Sequence, residues 1–144
     1  METSEIVEQL TQLKVMKLLY YVQGFAMAKL KHKAFNEEIL SWDYGPVVQS
    51  IYDKYKGERS IVSELVDVEL PTHLSENYEK INRNQKLSEI IHLVQENLGH
   101  LSGISLMKKT HRERPWVVTR RNHVIDDKVI KAYFEENMMD ILSD

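Results

Sequence analysis

Cysteine is absent from the 144 residues. That excludes disulfides, a thiolate nucleophile and cysteine-ligated zinc or iron–sulfur clusters. Glycine and proline are scarce, at 5 and 3 residues, and no glycines fall at the spacing of a dinucleotide or Walker A phosphate loop. No apolar run approaches the ~20 residues that span a bilayer. The opening Met1-Glu2-Thr3-Ser4-Glu5 has neither the basic nor the apolar region of a signal peptide. The expectation is a cytoplasmic protein with no membrane segment and no cofactor. Neither sign of charge dominates: 19 Lys and Arg against 22 Asp and Glu give a formal charge of -3, which is not the footprint of a general nucleic-acid binder.

The 42% hydrophobic and 28% charged residues are an ordinary globular balance, and the length suits one domain, residues 1–144, with one core. From Ile6 to about Leu30 apolar residues recur at helical spacing and, after Val15, cover nearly the whole circumference. Such a belt predicts a helix at the centre of the domain. Residues 35–42 read as a brief strand and Val66 to Leu70, with its period of two, as another that pairs with it. Pro46 at a first helical position predicts a helix through Tyr55, closed by Gly57. Residues 72–83 show no period and read as a loop. Leu87, Ile90, Ile91, Val94 and Leu98 form a one-faced stripe ending at Gly99, the signature of an amphipathic helix. Ser102 is a cap for a helix to about Thr110, Pro115 starts another to Arg121, and Asp126 caps a terminal helix to about Met138 with Ile125 and Ile130 as a hydrophobic staple. The fold class is mainly α, a compact helical domain with at most a short β-hairpin.

Catalytic patterns are weak. The histidines at 32, 73, 92, 100, 111 and 123 form neither an HExxH motif nor a finger spacing, so no metal site is expected. Ser102-Gly103-Ile104-Ser105 is better explained as a helix cap than as a nucleophile elbow. Asp126-Asp127 suits a helix N-terminus, where carboxylates favour the dipole, more than an acid–base pair. His111 with a nearby carboxylate lacks a nucleophile to activate.

Two stretches stand out. Lys108 to Arg121 sets six cations, Lys108, Lys109, Arg112, Arg114, Arg120 and Arg121, against Glu113 alone, with Trp116 among them. It suits phosphates or an acidic protein surface, or a solvated corner whose arginines pair with Glu135, Glu136 and Asp140. Trp42-Asp43-Tyr44-Gly45-Pro46 gathers aromatics that serve either a core or an interface.

Together, Lys17 to Gly24 (KLLYYVQG), Phe35 with Glu37, Glu38 and Ile39, Trp42 to Val48 (WDYGPVV) with Ile51-Tyr52, and Leu106 with Thr110-His111 and Pro115-Trp116 resemble the Panacea domain. This is the antitoxin domain of the SocA-like proteolytic adaptors and the phage-associated GepA-like proteins. The likeness runs in order from about residue 13 to the helix near Phe134, and residues 58–85 match no feature of it.

The resemblance implies a non-enzymatic binding protein that holds a cognate protein toxin, encoded by the adjacent gene, by masking it or by delivering it to a ClpXP-type protease. A homo-oligomer is compatible with it. The expected partner-binding residues are Lys17, Tyr21, Tyr44, Arg112, Arg114 and Trp116. Tyr20, Trp42, Gly45, Pro46, Thr110, His111 and Pro115 are expected as motif residues of the fold. The alternative is a small nucleic-acid-binding or transcription regulatory protein using residues 108–121, with salt-sensitive binding.

Overall fold

A computed structural model describes residues 2–55 and 85–143. It is built on α1 (Glu2–Leu30), followed by β1 (Leu40–Trp42), β2 (Gly45–Val47) and α2 (Gln49–Tyr55). After the second described stretch begins come α3 (Gln85–Leu98), α4 (Gly103–Thr110), α5 (Arg114–Val117) and α6 (Asp127–Leu142). The protein is mainly helical with one two-stranded antiparallel hairpin among the described residues.

The expected central helix is found, and it runs through Thr11 without a break. Residues 20–28 are all buried, because α3, α4, α6 and β2 pack around this half of α1. A helix enclosed on every side needs apolar residues all round it, as its sequence has. Gln23, 1% exposed in that core, is satisfied by the following loop: its Nε2 donates to the Phe35 carbonyl at 2.7 Å, and its Oε1 accepts from Ala34 N–H at 2.7 Å. Lys31, at φ 65°, turns the chain out of the helix, the left-handed exit that commonly ends a helix.

The hairpin differs from expectation. Leu40 pairs with Val47, Ser41 with Pro46 and Trp42 with Gly45, so Pro46 lies in a strand and α2 begins only at Gln49. A proline with no N–H is equally compatible with an edge position of a short hairpin. Asp43 and Tyr44 form the turn with negative φ, and Gly45, at φ 105°, takes the positive φ that closes it. The pairing is one-to-one up to this two-residue turn, and glycine is the residue that takes such a φ without strain. On its other edge β1 is lined by residues 122–125: Ser41 N–H donates to the His123 carbonyl at 2.9 Å, and Ile125 N–H to the Ile39 carbonyl at 2.8 Å. The expected strand at 66–70, the loop at 72–83 and the stop at Gly57 lie outside the described residues.

The remaining helices follow their signals closely. The stripe on α3 is buried at Leu87, Ile90, Val94 and Leu98. The Ser102 side chain accepts from Ser105 N–H at 3.0 Å at the start of α4, and Asp126 accepts from Lys128 N–H at 2.8 Å at the start of α6. α5 is one turn long and stops well before Arg121. α6 runs past Met138 to Leu142, with non-helical φ and ψ of -124° and 20° at Asn137. It presses Phe134 onto Gly24 of α1, where an added Cβ would run into the phenyl ring. Phe134 also meets Tyr20, Tyr21 and Phe25 edge to face, with ring centroids 5.0–5.9 Å apart, a favoured aromatic geometry.

Candidate functional site

The hairpin, α1, and the α4–α5 corner meet at one place, and nearly all the motif residues are there. Lys17, fully buried on α1, reaches under the hairpin and donates from Nζ to the Pro46 carbonyl at 3.1 Å. A Cβ on Gly45 would lie 2.7 Å from Lys17 Cε and 2.7 Å from Thr110 Oγ1. The backbone at 45 is glycine because a lysine stem and a threonine fill the space beside it. Burial pushes the Lys17 ammonium down to about 7, since a charge with one carbonyl partner loses more by desolvation than it regains.

Above this sits an aromatic joint. His111 stacks on Trp116 with centroids 4.0 Å apart and planes 19° from parallel. The Arg121 guanidinium carbon lies 3.6 Å from the centre of the Trp116 ring. Two groups so near one ring would overlap on a single face, so the indole is held between them, a favourable cation–π arrangement on one side. Arg121 is fixed by two further bonds from one Nη, to the Trp116 carbonyl at 2.6 Å and the Thr119 carbonyl at 2.7 Å. The indole Nε1 donates to the Trp42 carbonyl at 2.7 Å, which ties α5 to the hairpin, and Trp42 meets Tyr52 edge to face at 5.2 Å. Burial lowers the basicity of His111, opposed by its hydrogen bond to the Asp43 backbone.

On the next turn of α1, Tyr20 and Tyr21 are both fully buried, and their hydroxyls donate to the two oxygens of Glu113, at 3.0 Å and 2.9 Å. Glu113 is itself 3% exposed. The tyrosines and the cations Lys109 and Arg112 favour its ionised form, but burial outweighs them and pushes the carboxyl up to about 7. A shallow cleft of about 180 Å³ lined by Lys109, Arg112, Glu113, Tyr133, Asp140 and Ile141 opens beside it.

The expected partner-binding residues therefore divide. Tyr44 is 59% exposed, Arg112 and Arg114 are exposed and Trp116 is half-buried. Lys17 and Tyr21 are corrected: both are fully buried, because α1 is enclosed by its neighbours and does not reach the surface there. Of the motif residues, Tyr20 and Thr110 are fully buried, Gly45, Pro46 and Pro115 are buried, and Trp42 and His111 are half-buried, so they build the joint. The basic segment is also divided, since Lys109 is only 5% exposed and Arg121 is committed to the indole. Among the described residues, two acids of α6 pair with lysines from the loop after α1, Glu135 with Lys31 and Asp127 with Lys33. Glu113 was not among the expected residues. Its one sequence signal is being the lone acid in a basic run, because carboxylates are rarely buried unless paired.

No cluster of metal-ligating side chains occurs among the described residues, and no described helix is long and apolar enough to cross a membrane. No curated protein and no solved structure matches the chain. Residues 15–117 match the family model described as antitoxin SocA-like, Panacea domain. That stretch stops short of the terminal helix, but it contains Lys17, Tyr20, Tyr21, the whole hairpin, Glu113 and Trp116, and it spans well over half of the sequence. All residues of the buried joint but Arg121 lie within that match, and the chain belongs to the SocA-like antitoxins of the Panacea family.

Proposed function

We propose that this protein neutralises a cognate protein toxin, encoded by the adjacent gene, by binding it directly, and that it performs no catalysis. The observation that carries the reading is the antitoxin family match over residues 15–117. The chemistry of the joint agrees with a binding role. Lys17 and Glu113 are engaged with a hairpin carbonyl and with two tyrosines, and among the described residues His111 meets Trp116 and the Asp43 backbone, with no serine or threonine hydroxyl on its ring. These polar groups set the shape of the corner and leave Tyr44, Arg112 and Arg114 on its outside. Delivery of the toxin to a ClpXP-type protease is the other route by which such a complex would act.

The test is co-expression with the adjacent reading frame. Growth should be arrested by the neighbour alone and restored by the pair, and the two proteins should co-elute by size exclusion. Rescue without a complex, accompanied by loss of the toxin only in protease-competent cells, would favour delivery over masking. A neighbour that is not toxic, or toxicity that the chain does not relieve, would refute the reading.

A further inference from the structure

Large apolar side chains are exposed at six described positions, and four of them, Tyr44, Val117, Val118 and Val124, flank the hairpin. Tyr44 forms the hairpin turn, and the Trp116–Trp42 bond holds α5 against it. Val117 and Val118, 55% and 51% exposed, follow Trp116 directly. Val124 is bridged to Leu40 of β1. Arg114 and Arg120, both exposed, stand at either end of the Trp116–Val118 run. In a protein of net charge -3 this apolar run is flanked by two exposed arginines, and the one exposed acid of the hairpin turn is Asp43 beside Tyr44.

The joint beneath is rigid. Trp116 is fixed by an imidazole, a guanidinium and a carbonyl, so a partner meeting this face orders little that is not already ordered. Preformed aromatic and apolar anchors inside a polar rim are the usual composition of an interface centre. A nucleic acid is the poorer fit, because two of the six cations in the segment are withdrawn and the middle of the face is apolar.

We propose that the face formed by Tyr44, Trp116, Val117 and Val118, rimmed by Arg114 and Arg120, is the docking surface for the toxin. The toxin surface that fits it is apolar at its centre and carries carboxylates around the edge. This rests on the antitoxin reading and specifies its contact.

The test measures binding of the full chain to the purified product of the adjacent reading frame, at low and at physiological salt. Tyr44→Ala and Val118→Asp should each weaken binding about tenfold or more. Arg114→Glu should slow association, most strongly at low salt. Lys86→Glu, on the exposed side of α3, should stay within about twofold of the wild type. Circular dichroism checks that each variant is folded, and Val118→Ser replaces the aspartate variant if that one is not. Wild-type binding that all three patch substitutions leave unchanged would overturn the surface while leaving the antitoxin reading intact. A wild-type chain that binds no toxin overturns both, and a steeply salt-dependent shift of duplex DNA in its place would assign the rim to nucleic acid.

Discussion

Glu113 and Lys17 are held in places where their charged forms are poorly solvated, and each titrates near neutrality in the folded protein. For Glu113 the folded value is raised, so its stabilising contribution is complete below about 4.5 and is lost as the pH climbs through about 7. For Lys17 the folded value is depressed, so its contribution is complete above about 10.5 and is lost as the pH falls through about 7. Both limbs descend towards neutral pH, by roughly 3 kcal/mol at most for Glu113 and roughly 5 kcal/mol at most for Lys17. Urea midpoints of the wild type and of Glu113→Gln should converge at pH 5 and separate by pH 8 in favour of the glutamine; a constant difference would refute the assignment. Lys17→Met should likewise gain on the wild type as the pH falls from 9 to 7. Tyr20→Phe leaves the carboxylate with one donor and should cost about 1–3 kcal/mol above pH 7, and less at pH 5. Little of this was legible beforehand. A lysine and a glutamate read as surface residues by type, and the groups that receive them inside are distant in the chain: the Pro46 carbonyl, 29 positions from Lys17, and Tyr21 and Tyr20, 92 and 93 positions from Glu113. Tyr21 reads as a surface anchor for the same reason: periodicity marks a buried helix but not which of its polar ends stays wet.

Two glycines control how elements approach one another. Gly45→Ala meets both a positive φ and the crowding by Lys17 and Thr110, and should destabilise by about 1–3 kcal/mol in denaturant unfolding. Gly24→Ala drives a methyl into the Phe134 ring and forces α1 from α6, at a cost of about 1–3 kcal/mol. Phe134→Leu should relieve part of that strain, so the double variant should be more stable than the two single losses predict; strict additivity would mean that the contact is not what limits the approach. At this scale the sequence was most informative. The central helix and the stripe on α3 follow from hydrophobic period, and the starts of α4 and α6 from Ser102 and Asp126, which cap them through side-chain hydrogen bonds. Pro46 misled because its fixed φ suits a helix start as well as an edge strand. The choice was made by Gly45 and by the Lys17 bond to the Pro46 carbonyl, and neither is a local signal.

For the molecule as a whole, α6 is the informative element, since it follows residue 117, where the family match ends, yet it supplies Ile130, Phe134 and Ile141 to the core. Truncation after Val124 should therefore uncover Tyr20, Tyr21 and Phe25, abolish the cooperative thermal transition and raise binding of a hydrophobic dye. A truncated chain that melts as sharply as the full one would show the terminal helix to be dispensable. The mainly helical class was legible from period and caps, whereas the way the helices converge on α1 depends on tertiary contacts that no window of sequence carries. The clamp on Trp116 has an optical consequence as well. The chain has 2 tryptophans, and the indole of Trp116 is bonded to the backbone of Trp42, so the intrinsic fluorescence arises from this corner. Opening the joint takes the indole off its imidazole and guanidinium neighbours and into water, so tryptophan emission should shift to longer wavelength then and stay level while only the far ends of α3 or α6 fray. The protein thus has an unlabelled reporter beneath the face on which a partner would settle.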